Sequence, residues 1–124
     1  ETLLLAEDDG LNAEVLENLL GYINLRVVHA ENGKVAVDLF ERSAPGEYAA
    51  ILMDIQMPQM NGYKATQEIR RLPDKDKACI PIIAMTANAF EEDKRDAVAA
   101  GMNDHIAKPV DLSILISVIA KYIG

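Results

Sequence analysis

The run Ala50-Ile51-Leu52-Met53 ends abruptly in one carboxylate, Asp54, and the segment after it carries Pro58, Asn61 and Gly62. An unbroken apolar run of this length fits a strand buried on both faces, as in a parallel sheet covered by helices on either side. Pro, Asn and Gly stop the strand. Asp54 is thus delivered as a single acidic side chain to the carboxyl edge of a sheet, where open α/β sheets bind their ligands.

The rest of the chain repeats the device. Thr2-Leu3-Leu4-Leu5-Ala6 is a short apolar run ending in Glu7-Asp8-Asp9. Leu11, Val15, Leu16, Leu19, Leu20 and Ile23 then recur at helical spacing, and Gly21 marks the helix end. Arg26 to Ala30 reads as a second strand and Asn32-Gly33 as a turn. Val35, Ala36, Leu39 and Phe40 give the next helix its inner face, and Pro45-Gly46 breaks it. The third strand covers about Ala49 to Met53, and Ala65, Ile69 and Leu72 mark a third helix ending before Pro73. The alternating charges of Asp74-Lys75-Asp76-Lys77 predict a solvated connecting loop. Pro81 to Met85 is a fourth strand ending at Thr86. The helix predicted around Phe90 to Ala100 has a sparse apolar face, suited to weak docking, and stops at Gly101. His105-Ile106-Ala107 is a short fifth strand ending in Lys108-Pro109. Asp111 caps a last helix, whose expected face is Leu112, Leu115, Ile116, Ile119, Tyr122 and Ile123.

Alternating strands and helices predict an α/β fold, a doubly wound (βα)5 domain of the flavodoxin-like kind spanning 1–124. Right-handed crossovers leave few topologies, and the five-stranded parallel order 2-1-3-4-5 sets the ends of strands 1 and 3 side by side. Glu7, Asp8, Asp54, Thr86 and Lys108 then share one rim.

Charge and composition exclude several classes. Twelve basic against 20 acidic residues give a net charge of −8, which disfavours direct nucleic-acid binding. No apolar run approaches the roughly 18 residues needed to span a bilayer, so no membrane contact is expected of this domain. Cys79 is the single cysteine, which fits a reducing, cytoplasmic setting; it reads as a small apolar residue near a strand start, not a nucleophile. A start at Glu1 without Met fits a domain cut from a longer chain.

Three carboxylates in close quarters repel one another, and a hard divalent cation relieves the repulsion. Mg²⁺ suits such a site, because it binds through a few carboxylates together with phosphate oxygens. Asp54 could attack phosphorus and form an acyl phosphate, with Lys108 and Thr86 contacting the oxygens of the transferred group. Blander readings exist for each residue alone. Glu7 and Asp8 would serve as helix-start acids, Thr86 as an N-cap and Lys108 as a surface lysine. Their joint arrival at strand ends favours the phosphoryl pocket.

The ordered set Leu4-Leu5-Ala6-Glu7-Asp8, Leu52-Met53-Asp54-Ile55-Gln56-Met57-Pro58, Asn61-Gly62, Met85-Thr86-Ala87 and Lys108-Pro109 resembles the receiver domain of two-component response regulators over essentially the full length. The resemblance implies that Asp54 accepts phosphate from a phosphohistidine. It implies that Glu7, Asp8, Asp54 and the backbone carbonyl of Gln56 hold Mg²⁺, and that Thr86 and Lys108 contact the phosphoryl group. Gln56 and Asn88 match positions that tune acyl-phosphate hydrolysis. The family's switch position, commonly Tyr or Phe, is His105 here, so coupling through that residue is a departure. Glu7-Asp8 and Met85-Thr86-Ala87-Asn88-Ala89-Phe90 look like receivers of hybrid histidine kinases. Such receivers take phosphate from a kinase domain or exchange it with a histidine phosphotransfer domain, docking near the first helix, where Leu11, Ala13, Leu16 and Leu20 contain candidates although core is the favoured reading for most of them. The isolated domain is expected to be a monomer.

Other functions fit part of the pattern. A stand-alone single-domain regulator shares every motif. A haloacid-dehalogenase-like phosphatase also uses a strand-end Asp, but would need an acid where Gln56 stands. A pseudo-receiver would have lost pocket residues that are all present here.

Overall fold

The structure, a computed structural model, describes residues 1–87 and 91–123; for residues 91–93 it describes the backbone alone. Strands β1 (Thr2–Ala6), β2 (Arg26–Ala30), β3 (Ala50–Asp54), β4 (Ile82–Thr86) and β5 (Asp104–Ala107) form one sheet in the order β2-β1-β3-β4-β5. Every pairing is parallel. The doubly wound expectation is met, topology included.

Helices α1 (Gly10–Gly21), α2 (Gly33–Arg42), α3 (Gly62–Arg70), α4 (Lys75–Ala78), α5 (Glu91–Ala100) and α6 (Leu112–Tyr122) connect the strands or close the chain. Side chains alternate faces along each strand. Leu4, Ala6, Ile51, Met53, Ile82 and Ala84 pack with Ala36 and Phe40 of α2, Ala65 and Ile69 of α3 and Ala97 of α5. Leu3, Leu5, Leu52, Ile83, Met85 and Ile106 pack on the other face with Ala13, Leu16 and Leu20 of α1 and Leu115, Val118 and Ile119 of α6. β3 and β4 are buried along their whole length, whereas edge strand β2 is only partly covered. Each fully buried Leu or Ile contributes about 1.5–3 kcal/mol of transfer free energy, so the central strands carry much of the fold's stability.

Three expectations need correction. The connector predicted as a loop at Asp74–Lys77 contains the short helix α4, because the Asp74 carboxylate caps it by accepting from the Asp76 and Lys77 amides. Lys77 then reaches across, donating to the carbonyls of Glu41 and Ser43 at the end of α2 and lying over the Phe40 ring. Cys79 ends α4 and is exposed, not packed as a small apolar residue. On α6, Ile116 faces solvent and Val118 takes the buried place. That helix is apolar nearly all round, so its period leaves its rotation open.

Leu11 and Val15 are also exposed, at 71% and 50%, so the inner face of α1 is Ala13, Leu16 and Leu20. The helix predicted from about Phe90 is described from Glu91; Phe90 and Asn88 lie outside the described residues. Its docking is partial, as expected: Ala97 and Ala100 are buried while Val98 is 71% exposed.

Candidate functional site

Register brings the chemistry together. Ala6 pairs with Met53, so Glu7 follows the end of β1 beside Asp54, the last residue of β3. Asp54 pairs with Met85, and Thr86, the last residue of β4, pairs with Ala107. Lys108 follows directly, its amide donating to the Thr86 carbonyl at 2.7 Å. The strands stop where their helices must begin. Asp9 caps α1, its carboxylate accepting from the amides of Leu11 and Asn12 at 2.9 and 3.2 Å. After β3 the chain turns back, with the Gly62 amide donating to the Ile55 carbonyl at 2.9 Å. A Cβ on Gly62 would sit 2.4 Å from the Asp54 carbonyl oxygen, so only glycine lets α3 start this close to the strand end.

Glu7, Asp8, Asp54, Gln56, Thr86 and Lys108 line one cleft of about 230 Å³. The predicted residues described by the structure therefore converge, apart from His105. Glu7, Asp54 and Thr86 are buried at 1%, 4% and 6% exposure, whereas Asp8 is exposed. The Lys108 ammonium lies 2.8 Å from Asp54 Oδ2 and 3.2 Å from Glu7 Oε2. Asp54 Oδ1 accepts from the Gln56 amide at 3.2 Å, and Glu7 Oε1 from the Asp9 amide at 3.3 Å.

Burial, then the charge of Asp54, raises the Glu7 pKa above its ordinary value, and the Lys108 charge and the Asp9 amide offset only part of this. Burial alone would lower Lys108, but its hydrogen bond and charge interaction with Asp54, with Glu7 adding to them, raise it instead. The lysine is therefore cationic at neutral pH.

Oxygens of Glu7, Asp8 and Asp54 lie within 4.8 Å of one another. One ammonium pairs with Glu7 and Asp54 in a cluster of three carboxylates, and the buried Glu7 Oε2 has the Lys108 ammonium 3.2 Å away as its ion-pair partner and no further donor among the described residues. An acceptor left in this state fits a further cation, and an all-oxygen donor set suits a hard one.

His105 lies outside the cleft. On β5 it pairs with Ala84, its side chain is 35% exposed, and its Nδ1 is 3.9 Å from Asp104 Oδ1. Sequence reasoning missed two supports. The Asp9 cap was legible, because an acid directly before a helical apolar pattern is an N-cap signal. His29 Nε2 lies 2.6 Å from the Glu7 carbonyl oxygen. A carbonyl only accepts, so Nε2 carries the proton in that bond. No local pattern marks this contact, which joins β2 to the residue after β1.

A second cavity of about 380 Å³ adjoins the cleft and is lined by Val15, Leu16 and Leu19 of α1 with Ala87, Pro109 and Val110. Among the described residues no helix is long and apolar enough to cross a membrane.

Comparison with known proteins agrees with this geometry. The receiver domain of sensor histidine kinase PA1611 from Pseudomonas aeruginosa PAO1, solved with a magnesium ion coordinated in its active-site cleft, has a TM-score of 0.89 and 40% identity, covering 100% of this chain and 98% of that one. The receiver domain of Saccharomyces cerevisiae Ssk1, solved with the histidine phosphotransfer protein Ypd1, has a TM-score of 0.88 and 30% identity over 98% of this chain and 87% of that one. Hybrid signal transduction histidine kinase B of Dictyostelium discoideum is 40% identical over 137 residues, covering all of this chain. The curated relatives are much longer, and the chain spans 7% to 8% of the length of the first three. The sequence model of the response regulator receiver domain matches residues 3–120. With that span, that sheet order and that cleft, the chain belongs to the response regulator receiver domain family.

Proposed function

We propose that this domain accepts a phosphoryl group from a phosphohistidine onto Asp54, in the presence of Mg²⁺, within a phosphorelay. The observation that carries the reading is the Lys108 ammonium held 2.8 Å from Asp54 Oδ2 and 3.2 Å from Glu7 Oε2, in a cleft that the ends of separate strands build. An Asp54 oxygen attacks phosphorus and the leaving group departs on the opposite side, which creates an acyl phosphate. The Gln56 amide orients the carboxylate through Oδ1. Lys108 contacts one oxygen of the transferred group and Thr86 another, so positive charge and a hydroxyl face the charge that spreads over those oxygens. Glu7, Asp8, Asp54 and the Gln56 carbonyl would hold the cation, which supplies a hard positive charge between carboxylates and phosphoryl group. Gln56 and Asn88 tune hydrolysis of the product, and His105 occupies the switch position.

The domain's partner is a histidine kinase or a histidine phosphotransfer domain, seated on the apolar groove beside the cleft. Leu11, Val15 and Tyr22 of the α1 side are exposed at 71%, 50% and 80%, far more apolar surface than the sheet face requires. The parent chain is a hybrid histidine kinase carrying this receiver on its cytoplasmic side. Intact mass after incubation with acetyl phosphate tests the core of the reading. A gain of about 80 Da for one phosphoryl group is expected with Mg²⁺ and not with EDTA or in Asp54→Asn. Equal labelling of Asp54→Asn would remove Asp54 as acceptor. Failure of the unaltered protein with both acetyl phosphate and a phosphorylated histidine donor would leave a binding module.

A further inference from the structure

The cleft and the groove are not separate. Four residues line both: Glu7, Asn12, Ala87 and Lys108. Glu7 and Lys108 are paired with each other, and Ala87 has no polar side chain. Asn12 is the remaining one. It sits in the first turn of α1, where its backbone amide donates to Asp9 Oδ1 at 3.2 Å, and its side chain is exposed. Among the described residues its side-chain amide makes no hydrogen bond.

We propose, resting on the reading of Asp54 as phosphoacceptor, that Asn12 is a substrate-contacting residue that recognises the imidazole leaving group of the phosphodonor. Asp54 is 4% exposed at the cleft floor. In-line displacement sets the leaving group opposite the attacking oxygen, hence toward the mouth that Asn12 borders. As the bond from Asp54 oxygen to phosphorus forms, the phosphorus–nitrogen bond breaks and its electron pair returns to the ring nitrogen. The proton on the other ring nitrogen stays there, and neutral imidazole departs. The Asn12 amide oxygen accepts a hydrogen bond from that N–H, which selects the protonated ring, the better leaving group. Acetyl phosphate has no such N–H, so its acetate departs without help from Asn12.

The test uses N-phosphoimidazole and acetyl phosphate as small donors with Mg²⁺, so that protein docking plays no part. Labelling rates are read by intact mass for the unaltered protein, Asn12→Ala and Asn12→Asp. The ratio of the phosphoimidazole rate to the acetyl phosphate rate is expected to fall about tenfold in Asn12→Ala, the effect of losing one charge-assisted hydrogen bond. Asn12→Asp keeps an acceptor oxygen and should restore the ratio. An unchanged ratio in Asn12→Ala, or an equally low one in Asn12→Asp, overturns the proposal while leaving Asp54 in place. If neither donor labels the unaltered protein, the reading of Asp54 falls, and this one with it.

Discussion

Glu7 holds its proton more tightly in the folded protein than its ordinary value of 4.5 would allow, because it is buried beside Asp54. A raised folded pKa contributes stability below about the unfolded value, and that contribution is lost as pH rises through the folded value. Once ionised, Glu7 therefore weighs against the metal-free fold. The prediction is a difference measurement. In EDTA, the Tm of the unaltered protein minus that of Glu7→Gln should fall across the pH window above 4.5. Saturating Mg²⁺ should reverse the slope, since the cation binds the ionised carboxylate. Thermal melts across that window check both signs. Lys108 follows the same rule from the basic side: its raised pKa keeps the pair with Asp54 intact up to and beyond 10.5. The pocket residues themselves were legible, because each stands where an apolar run ends. Glu7's burial was not, because Asp8 beside it is another acid at the same strand end and is exposed.

Among the elements, α3, α4, β4, α5 and β5 meet at one guanidinium. Arg70, the last residue of α3, donates to the carbonyls of Gly101, Ala78 and Ile80 at 2.9, 2.5 and 2.7 Å and to the Asn103 side-chain oxygen at 2.8 Å. Asn103 Oδ1 accepts in turn from the Ile82 amide that opens β4. Burial pulls the Arg70 pKa below its ordinary value, and the negative charge Cys79 carries as a thiolate opposes that pull. Arg70→Met would leave partly buried carbonyls without donors, so a loss of about 3 kcal/mol is expected in urea unfolding. Arg70→Lys should recover only part of it, because an ammonium cannot reproduce the planar fork. This junction was invisible in the sequence. Its acceptors lie 8 to 33 residues away, beyond any helical or strand period. The same limit hid the partner of Lys77, whose acceptors sit 34 and 36 residues back at the end of α2.

For the whole molecule, the acidic cleft and the apolar groove open beside each other, sharing Glu7 and Lys108. On the proposed reading a protein phosphodonor covers the groove to present its histidine, whereas acetyl phosphate needs only the cleft. Val15→Asp sets a charge into the groove at a half-exposed position. It should slow transfer from a phosphorylated histidine phosphotransfer domain at least about tenfold relative to labelling by acetyl phosphate, the cost of burying an unpaired carboxylate at an interface. Radiolabel transfer between the two proteins measures it. Equal slowing with both donors would move the docking surface elsewhere.

By itself the sequence determined the strands, their parallel order and the set of residues at the carboxyl edge. Strand period, turn residues and the handedness of crossovers are local or general rules, and β3 obeys them without tertiary help. The tertiary structure alone decided which acid is buried, which side of α1 and α6 faces out, and that Asp74–Ala78 folds as a capped turn. α1 and α6 carry more apolar residues than one sheet face can cover, so their rotation is set by packing against each other's neighbours and not by their own period. The pairing of Lys108 with Asp54, 54 residues apart, likewise arises only when β3 and β5 come to flank β4.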